Sequence, residues 1–181
     1  MAKAKITDFG ALYAIERRQI KYPRLEFKTG TLKLILPQNY YSELKLLAKH
    51  KKWIVKNSRL INDALLRSKN IQLERRSVSD LRQLIRDYCK ETLPEEFYKI
   101  YFRKMKSKWA SCSSNKGLTF NTSLKYLPDK LVKYVVAHEI AHLKEKRHNE
   151  RFWKVMSKQF RNREYFEKKL FDYWFLIQKL I

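Results

Sequence analysis

His138-Glu139-Ile140-Ala141-His142, with His148 shortly beyond it, is the stretch that decides how this chain is read. Two histidines four apart on a helix point to the same side and can share one metal ion. Glu139, next to the first of them, is the residue type that takes a proton from metal-activated water, so ligands and base of a metal-dependent hydrolytic site sit together. Three of the protein's four histidines fall in this stretch.

The flanking residues decide whether the motif lies on a helix. Pro128 and Asp129 give a proline near a helix start and an acid in the first turn. Leu131, Val132, Val135, Val136, Ile140 and Leu143 then form an apolar stripe at i, i+3, i+4 spacing, which predicts a buried helix carrying the motif. On it Glu139 is offset by about 100° from His138, which suits a carboxylate beside the metal rather than on it.

His148 is the expected third ligand. The intervening Lys144, Glu145, Lys146 and Arg147 include no glycine, and Glu145 stands where the metzincin pattern H-E-x-x-H-x-x-G-x-x-H has its turn glycine, which disfavours that class. Asn149 reads as an N-cap holding His148 at the entrance of a second helix with Phe152, Trp153, Val155, Met156 and Phe160. A surface histidine, with Glu145 or Glu150 supplying the third ligand instead, is the competing reading.

Several linked motifs then stand in order: Lys106-Ser107-Lys108-Trp109-Ala110-Ser111-Cys112-Ser113-Ser114, Leu118 to Leu124, Tyr134 to Leu143, and His148-Asn149-Glu150-Arg151-Phe152-Trp153. Together they resemble the YgjP-like metallopeptidase family, and Leu34-Ile35-Leu36-Pro37 and Trp53-Ile54 resemble its amino-terminal part. The chain departs from the family at Ala110, where Gly is usual, and at Arg147 and Asn149, where Asn and Ser are commoner. The resemblance implies a small zincin related in active-site plan to the SprT-like proteases that act on DNA-associated proteins.

Composition bounds the class. A chain of 181 residues with 44% hydrophobic content, three glycines and four prolines is globular rather than disordered. No apolar run approaches the roughly 20 residues that span a bilayer, and no basic segment leads into an apolar signal core, so a cytoplasmic protein without membrane partners is expected. Cys89 and Cys112 form neither a zinc ribbon nor a C-x-x-C, and no disulfide is expected. Cys112 reads as a small buried thiol supporting its loop, with a metal contact or redox role as the alternative, and Trp109 as a core anchor whose loop borders the cleft. The formal net charge of +23 raises nucleic acid as a nonspecific partner, but the excess is spread along the chain with no basic arm.

The expected architecture is α+β: an N-terminal β-rich ribbon lobe with a bridging helix over 1–70, and a zincin-like catalytic lobe over 71–181 with an active-site helix and a small antiparallel sheet. Leu12 to Ile20, Arg24 to Lys28 and Thr31 to Leu36 read as strands, with Thr29-Gly30 as a turn and Pro37 closing the last strand. Glu43 to about Lys69 reads as helix, interrupted at Asn57-Ser58. Ser77 with Asp80 resembles a capping box, and Pro94 ends the helix that follows. Tyr98, Ile100 and Phe102 alternate as a strand, and Gly117 to Asn121 gives another, with Leu118 to Asn121 either an edge that binds extended peptide or an interior strand. Tyr165, Phe166, Leu170, Phe171, Trp174 and Ile177 form a last amphipathic helix.

These readings predict a peptidase acting on peptide or protein substrates, with one Zn²⁺ held by His138, His142 and His148 and Glu139 as general base. Tyr126, Tyr134, Lys116, Arg163 and Tyr165 are the candidates for stabilising the oxyanion. Two other functions share the motif. Zinc-activated water in a basic cleft could cleave a nucleotide phosphoanhydride, and a metal with its fourth position filled could stabilise a nucleic-acid-associated module. Glu139 argues against the last, because a structural site needs no base.

Overall fold

A computed structural model describes residues 5–28, 30–93 and 99–180 of the chain. Packing divides them into two compact units, one containing the described residues up to Asn70 together with those from Trp174 onward, the other spanning Ile71–Tyr173. The second unit thus ends short of the expected carboxyl boundary. Trp174 donates its indole N–H to the Lys28 carbonyl at 2.9 Å, so the end of the last helix belongs to the amino-terminal core. An amphipathic stripe announces burial but not which core it enters.

The amino-terminal unit is built on strands β1 (Lys5–Ile6), β2 (Leu12–Arg18), β3 (Arg24–Glu26) and β4 (Leu32–Pro37) in the order β1-β2-β4-β3. β4 is central and its run Leu34-Ile35-Leu36 is wholly buried, as expected of a strand covered on both faces. β3 pairs with β4 antiparallel, as a ribbon should, but β2 pairs with it parallel, and the short β1 was not expected. Gly30 has φ +85 and donates its N–H to the Phe27 carbonyl, a left-handed conformation that glycine adopts freely. Thr29 lies outside the described residues.

Two helices follow in place of one, α1 (Glu43–Lys49) and α2 (Lys51–Arg67). The break is at His50, not at Asn57-Ser58. Asn57 donates its side-chain amide to the Trp53 carbonyl one turn back and is absorbed into α2. Leu47 and Ile54 close over Tyr13, Leu32, Leu34 and Leu36 to make the core of this unit.

The second unit starts with α3 (Val78–Thr92), whose capping box is complete: Asp80 N–H donates to Ser77 Oγ and Ser77 N–H to the Asp80 carboxylate, both at 3.1 Å. Pro94 and Tyr98 lie outside the described residues. Strands β5 (Lys99–Arg103), β6 (Ala110–Cys112) and β7 (Gly117–Asn121) form a sheet ordered β5-β7-β6. β6 and β7 are antiparallel, whereas β5 runs parallel to β7, so the sheet is mixed rather than antiparallel throughout. β7 is therefore the interior strand, with β5 and β6 as the two edges, and β6 is the edge strand that packs against α4.

Asn121 organises the approach to that edge. It is fully buried, and its amide donates to the Met105 and Lys108 carbonyls at 2.9 Å while its oxygen accepts from the N–H groups of Met105 and Ser123. Every polar atom of the side chain is thereby used to fold the segment before β6 and the 3₁₀ turn Thr122–Tyr126 after β7. Next come α4 (Asp129–Lys144), the short α5 (Glu150–Ser157) and α6 (Arg163–Leu180). β6, α3 and α5 all pack on α4.

Candidate metal centre

Helix α4 buries Val132, Val136 and Ile140 and carries His138 and His142 one turn apart. Its last turn ends at Glu145, whose carbonyl receives the His142 Nδ1 at 3.1 Å. A carbonyl only accepts, so Nδ1 bears a proton and Nε2 is the ring nitrogen of His142 left to face a metal. His148 reaches the site from the link to α5, where Asn149 caps the helix by accepting the Phe152 N–H at 3.1 Å. That cap was legible in the sequence and does what was expected of it.

The three histidines converge. One ring nitrogen from each of His138, His142 and His148 lies within 4.8 Å of the others, and Nε2 of His138 and His148 are 2.9 Å apart. Nitrogens at the Zn–N distance of about 2.0–2.1 Å around a tetrahedral ion fall inside that envelope. Burial, reinforced by His142, His148 and Arg163, lowers the His138 pKa to about 4, so this imidazole is neutral at neutral pH, as a ligand must be. The donor set therefore fits a metal of the zinc class. Glu145 and Glu150 do not join the cluster.

Aromatic rings hold the cluster from below and behind. Phe152 is fully buried, with its ring centroid 4.9, 4.7 and 4.7 Å from those of His138, His142 and His148. Trp153 stacks on His148 at 5.7 Å and donates its indole N–H to the His148 carbonyl at 3.1 Å. Arg163 lies over the Trp153 ring, its guanidinium carbon 3.6 Å from the centroid, and pairs with Glu167 at 2.7 Å. His148 is the exposed histidine of the set, so this stack supplies the constraint that burial gives the other two.

Glu139 is 7% exposed. Burial pushes its pKa up to about 7, against the pull of Lys108 and of a hydrogen bond from the Cys112 backbone. A carboxyl poised near neutrality can both take and return a proton. It forms part of the wall of a cavity of about 370 Å³ shared with Ala110, Ser111, Cys112, His142 and Lys146. Glu139 also lines a second cavity of about 250 Å³, bordered by Trp109, Tyr134, Val135, His138 and Leu170.

Cys112 is a free, half-buried thiol on the first cavity wall and stands outside the ligand cluster. Trp109 is half-buried and borders the second cavity, so it is not the deep anchor its size suggested. Of the oxyanion candidates, Tyr134 borders the second cavity beside His138, with its hydroxyl buried and lacking a hydrogen-bond partner among the described residues. Arg163 is held on Trp153, while Tyr126, Lys116 and Tyr165 border neither cavity. The hydrogen-bonding role of Asn121 at the end of β7 and the existence of β6 are not legible in the sequence. A buried asparagine leaves no periodic trace, and a three-residue strand is too short to alternate.

Comparison with known proteins agrees with this chemistry. The family model described as YgjP-like, metallopeptidase domain, matches residues 63–172. Among solved structures, the metallopeptidase zymogen abylysin of Pyrococcus abyssi is similar at 25% identity, covering 52% of this chain and 91% of that one with a TM-score of 0.41. The metallopeptidase zymogen jannalysin of Methanocaldococcus jannaschii is similar at 27% identity, covering 59% of this chain and 96% of that one with a TM-score of 0.44. No curated protein matches the chain. No helix among the described residues is long and apolar enough to cross a membrane. With more than half its length matched, the chain belongs to the YgjP-like family and is a metal-dependent peptidase.

Proposed function

We propose that the protein is a zinc peptidase in which His138, His142 and His148 hold one ion and Glu139 is the general base. The observation that carries this reading is the convergence of three imidazole nitrogens within 4.8 Å next to a carboxyl that is 7% exposed. Zinc bound there supplies a Lewis acid that lowers the pKa of water and polarises a carbonyl. Glu139 takes the proton released by the attacking water, holds it on its carboxyl in the buried wall, and passes it to the leaving amine. The Phe152 floor keeps bulk water from the inner side of the histidines. The peptide lies extended along β6, whose outer edge offers backbone groups for strand addition. This moves the substrate-binding role from Leu118–Asn121 to Ala110–Cys112, because β7 has its backbone groups committed to β5 and β6.

The test is Glu139→Gln. The amide keeps the side-chain volume but cannot accept the proton, so zinc content by elemental analysis and circular dichroism stay as in the wild type while kcat on an unfolded protein substrate falls by about 10² to 10⁴. Near-normal turnover in this variant rejects the assignment of the base. A nucleoside triphosphate incubated in parallel separates peptide hydrolysis from phosphoanhydride cleavage, and exclusive release of pyrophosphate or phosphate would overturn the peptidase reading.

A further inference from the structure

We propose that the two cavities flanking Glu139 are unlike side-chain subsites, which select an acidic side chain on one side of the cleaved bond and an apolar one on the other. The inference rests on the peptidase reading and gives it a substrate class. The two cavities share Ala110 of β6 and Glu139 of α4, so both open at the bond-breaking centre, one beside His142 and the other beside His138. In an extended chain successive side chains point to opposite faces. A peptide paired with the three residues of β6 therefore turns neighbouring side chains away from each other, and two separate cavities that share one glutamate are placed to receive one each.

Their linings differ in kind. The cavity beside His142 is lined by Ser111, Cys112, Ser113, Ser114 and Lys146, together with the Glu139 and Ala110 that it shares with the other cavity. Lys146 is exposed and forms no ion pair among the described residues, so its ammonium is available to a ligand. Hydroxyls with one cation match a carboxylate, which accepts hydrogen bonds through both oxygens. An arginine or lysine side chain would meet like charge there. The cavity beside His138 is walled by Trp109, Tyr134, Val135 and Leu170, and of the two charged residues along it besides Glu139, Lys108 and Glu167, the latter is already paired with Arg163. Its walls favour a side chain that gains by leaving water. Ala110 lines both cavities, and its small methyl group takes little room from either.

The experiment is cleavage of a peptide library, randomised at the two positions around a central bond, by zinc-replete enzyme, with products sequenced by mass spectrometry. The wild type is expected to prefer Asp or Glu over Lys or Arg at one of these positions by about tenfold, equivalent to about 1.4 kcal/mol, and Leu, Met or Phe over Asp at the other by at least as much. Lys146→Glu reverses the charge preference at the first position only. Leu170→Phe narrows the second cavity and shifts that position towards smaller apolar side chains without altering the first. Zinc content is measured on both variants to show that the centre is intact, and Lys146→Gln serves as the milder exchange should charge reversal disturb the fold. Cleavage without side-chain preference, or preferences unchanged in the variants, overturns the subsite assignment and leaves the peptidase standing. Failure of the zinc-replete wild type to cleave any member overturns the peptidase reading, and the subsites with it.

Discussion

The three histidines that converge at the centre are held in different ways. His138 and His142 stand on a four-turn helix whose inner face is buried, while His148 is exposed and is oriented by the stack of Trp153 and Arg163 behind it. Removing any ligand leaves two imidazoles, a weaker zinc site than three. The protein is expected to hold one zinc per chain. His138→Ala or His142→Ala should purify with almost none, and His148→Ala with a reduced amount that a chelator strips quickly. Elemental analysis with a timed chelator challenge reads all three, and full, slowly exchanging zinc in His148→Ala would return Glu145 or Glu150 to contention as the third ligand. Asn121 is the residue-scale counterpart outside the centre. Asn121→Leu fits the volume but leaves the carbonyls of Met105 and Lys108 and the N–H groups of Met105 and Ser123 without their buried partner. A stability loss on the order of 2–4 kcal/mol in denaturant titration is expected, together with weakened peptide binding because the segment leading into β6 loosens. A loss within about 0.5 kcal/mol would mean that water replaces the side chain at little cost.

At the scale of elements, what the residues announced depended on whether a local signal existed. α3 was legible because Ser77 and Asp80 satisfy each other's backbone N–H groups within four residues, and α4 because its apolar stripe and the proline before it are local. The pairing partners of the strands were not. Whether β5 runs parallel or antiparallel to β7, and whether β7 lies inside or at the edge, depends on contacts between residues far apart in sequence, for which period-two alternation carries no information. β6 was hidden by its length, and the break at His50 by the more suggestive Asn57-Ser58. The α3 cap also gives a pH-dependent prediction. Hydrogen bonds from the Ser77 hydroxyl and backbone, helped by Arg76, hold the Asp80 carboxyl below its ordinary range. A depressed carboxylate pKa stabilises the fold above the unfolded-state value of about 3.9 and loses that contribution as pH falls through the folded value. Ser77→Ala is expected to cost about 1 kcal/mol near neutrality, and the difference from wild type should shrink on acidification below about pH 4. Denaturant midpoints at several pH values check this, and a difference that stays constant to the lowest pH would show that the carboxylate takes no part in the cap.

For the whole molecule the dominant physical fact is charge: 41 Lys and Arg against 18 Asp and Glu, a formal excess of +23. The residues carrying it are not gathered in one place. Both compact units are strongly basic, and ion pairs such as Arg18 with Glu16, Lys28 with Glu26, and Arg163 with Glu167 use up only part of the cation supply. A surface of this kind attracts any polyanion through long-range field and counterion release, without a groove-reading helix or strand to distinguish one base sequence from another. The expected behaviour is micromolar or weaker binding to single- or double-stranded nucleic acid of any sequence. Affinity should fall at least tenfold as salt rises from about 50 to 200 mM. Fluorescence anisotropy with two unrelated oligonucleotides of equal length, titrated at several salt concentrations, measures both the slope and the selectivity. Equal affinities with a steep salt slope assign the attraction to diffuse charge. A shallow slope, or more than about tenfold preference between the oligonucleotides, would require a shaped binding face and would contradict the even spread of charge read from the chain.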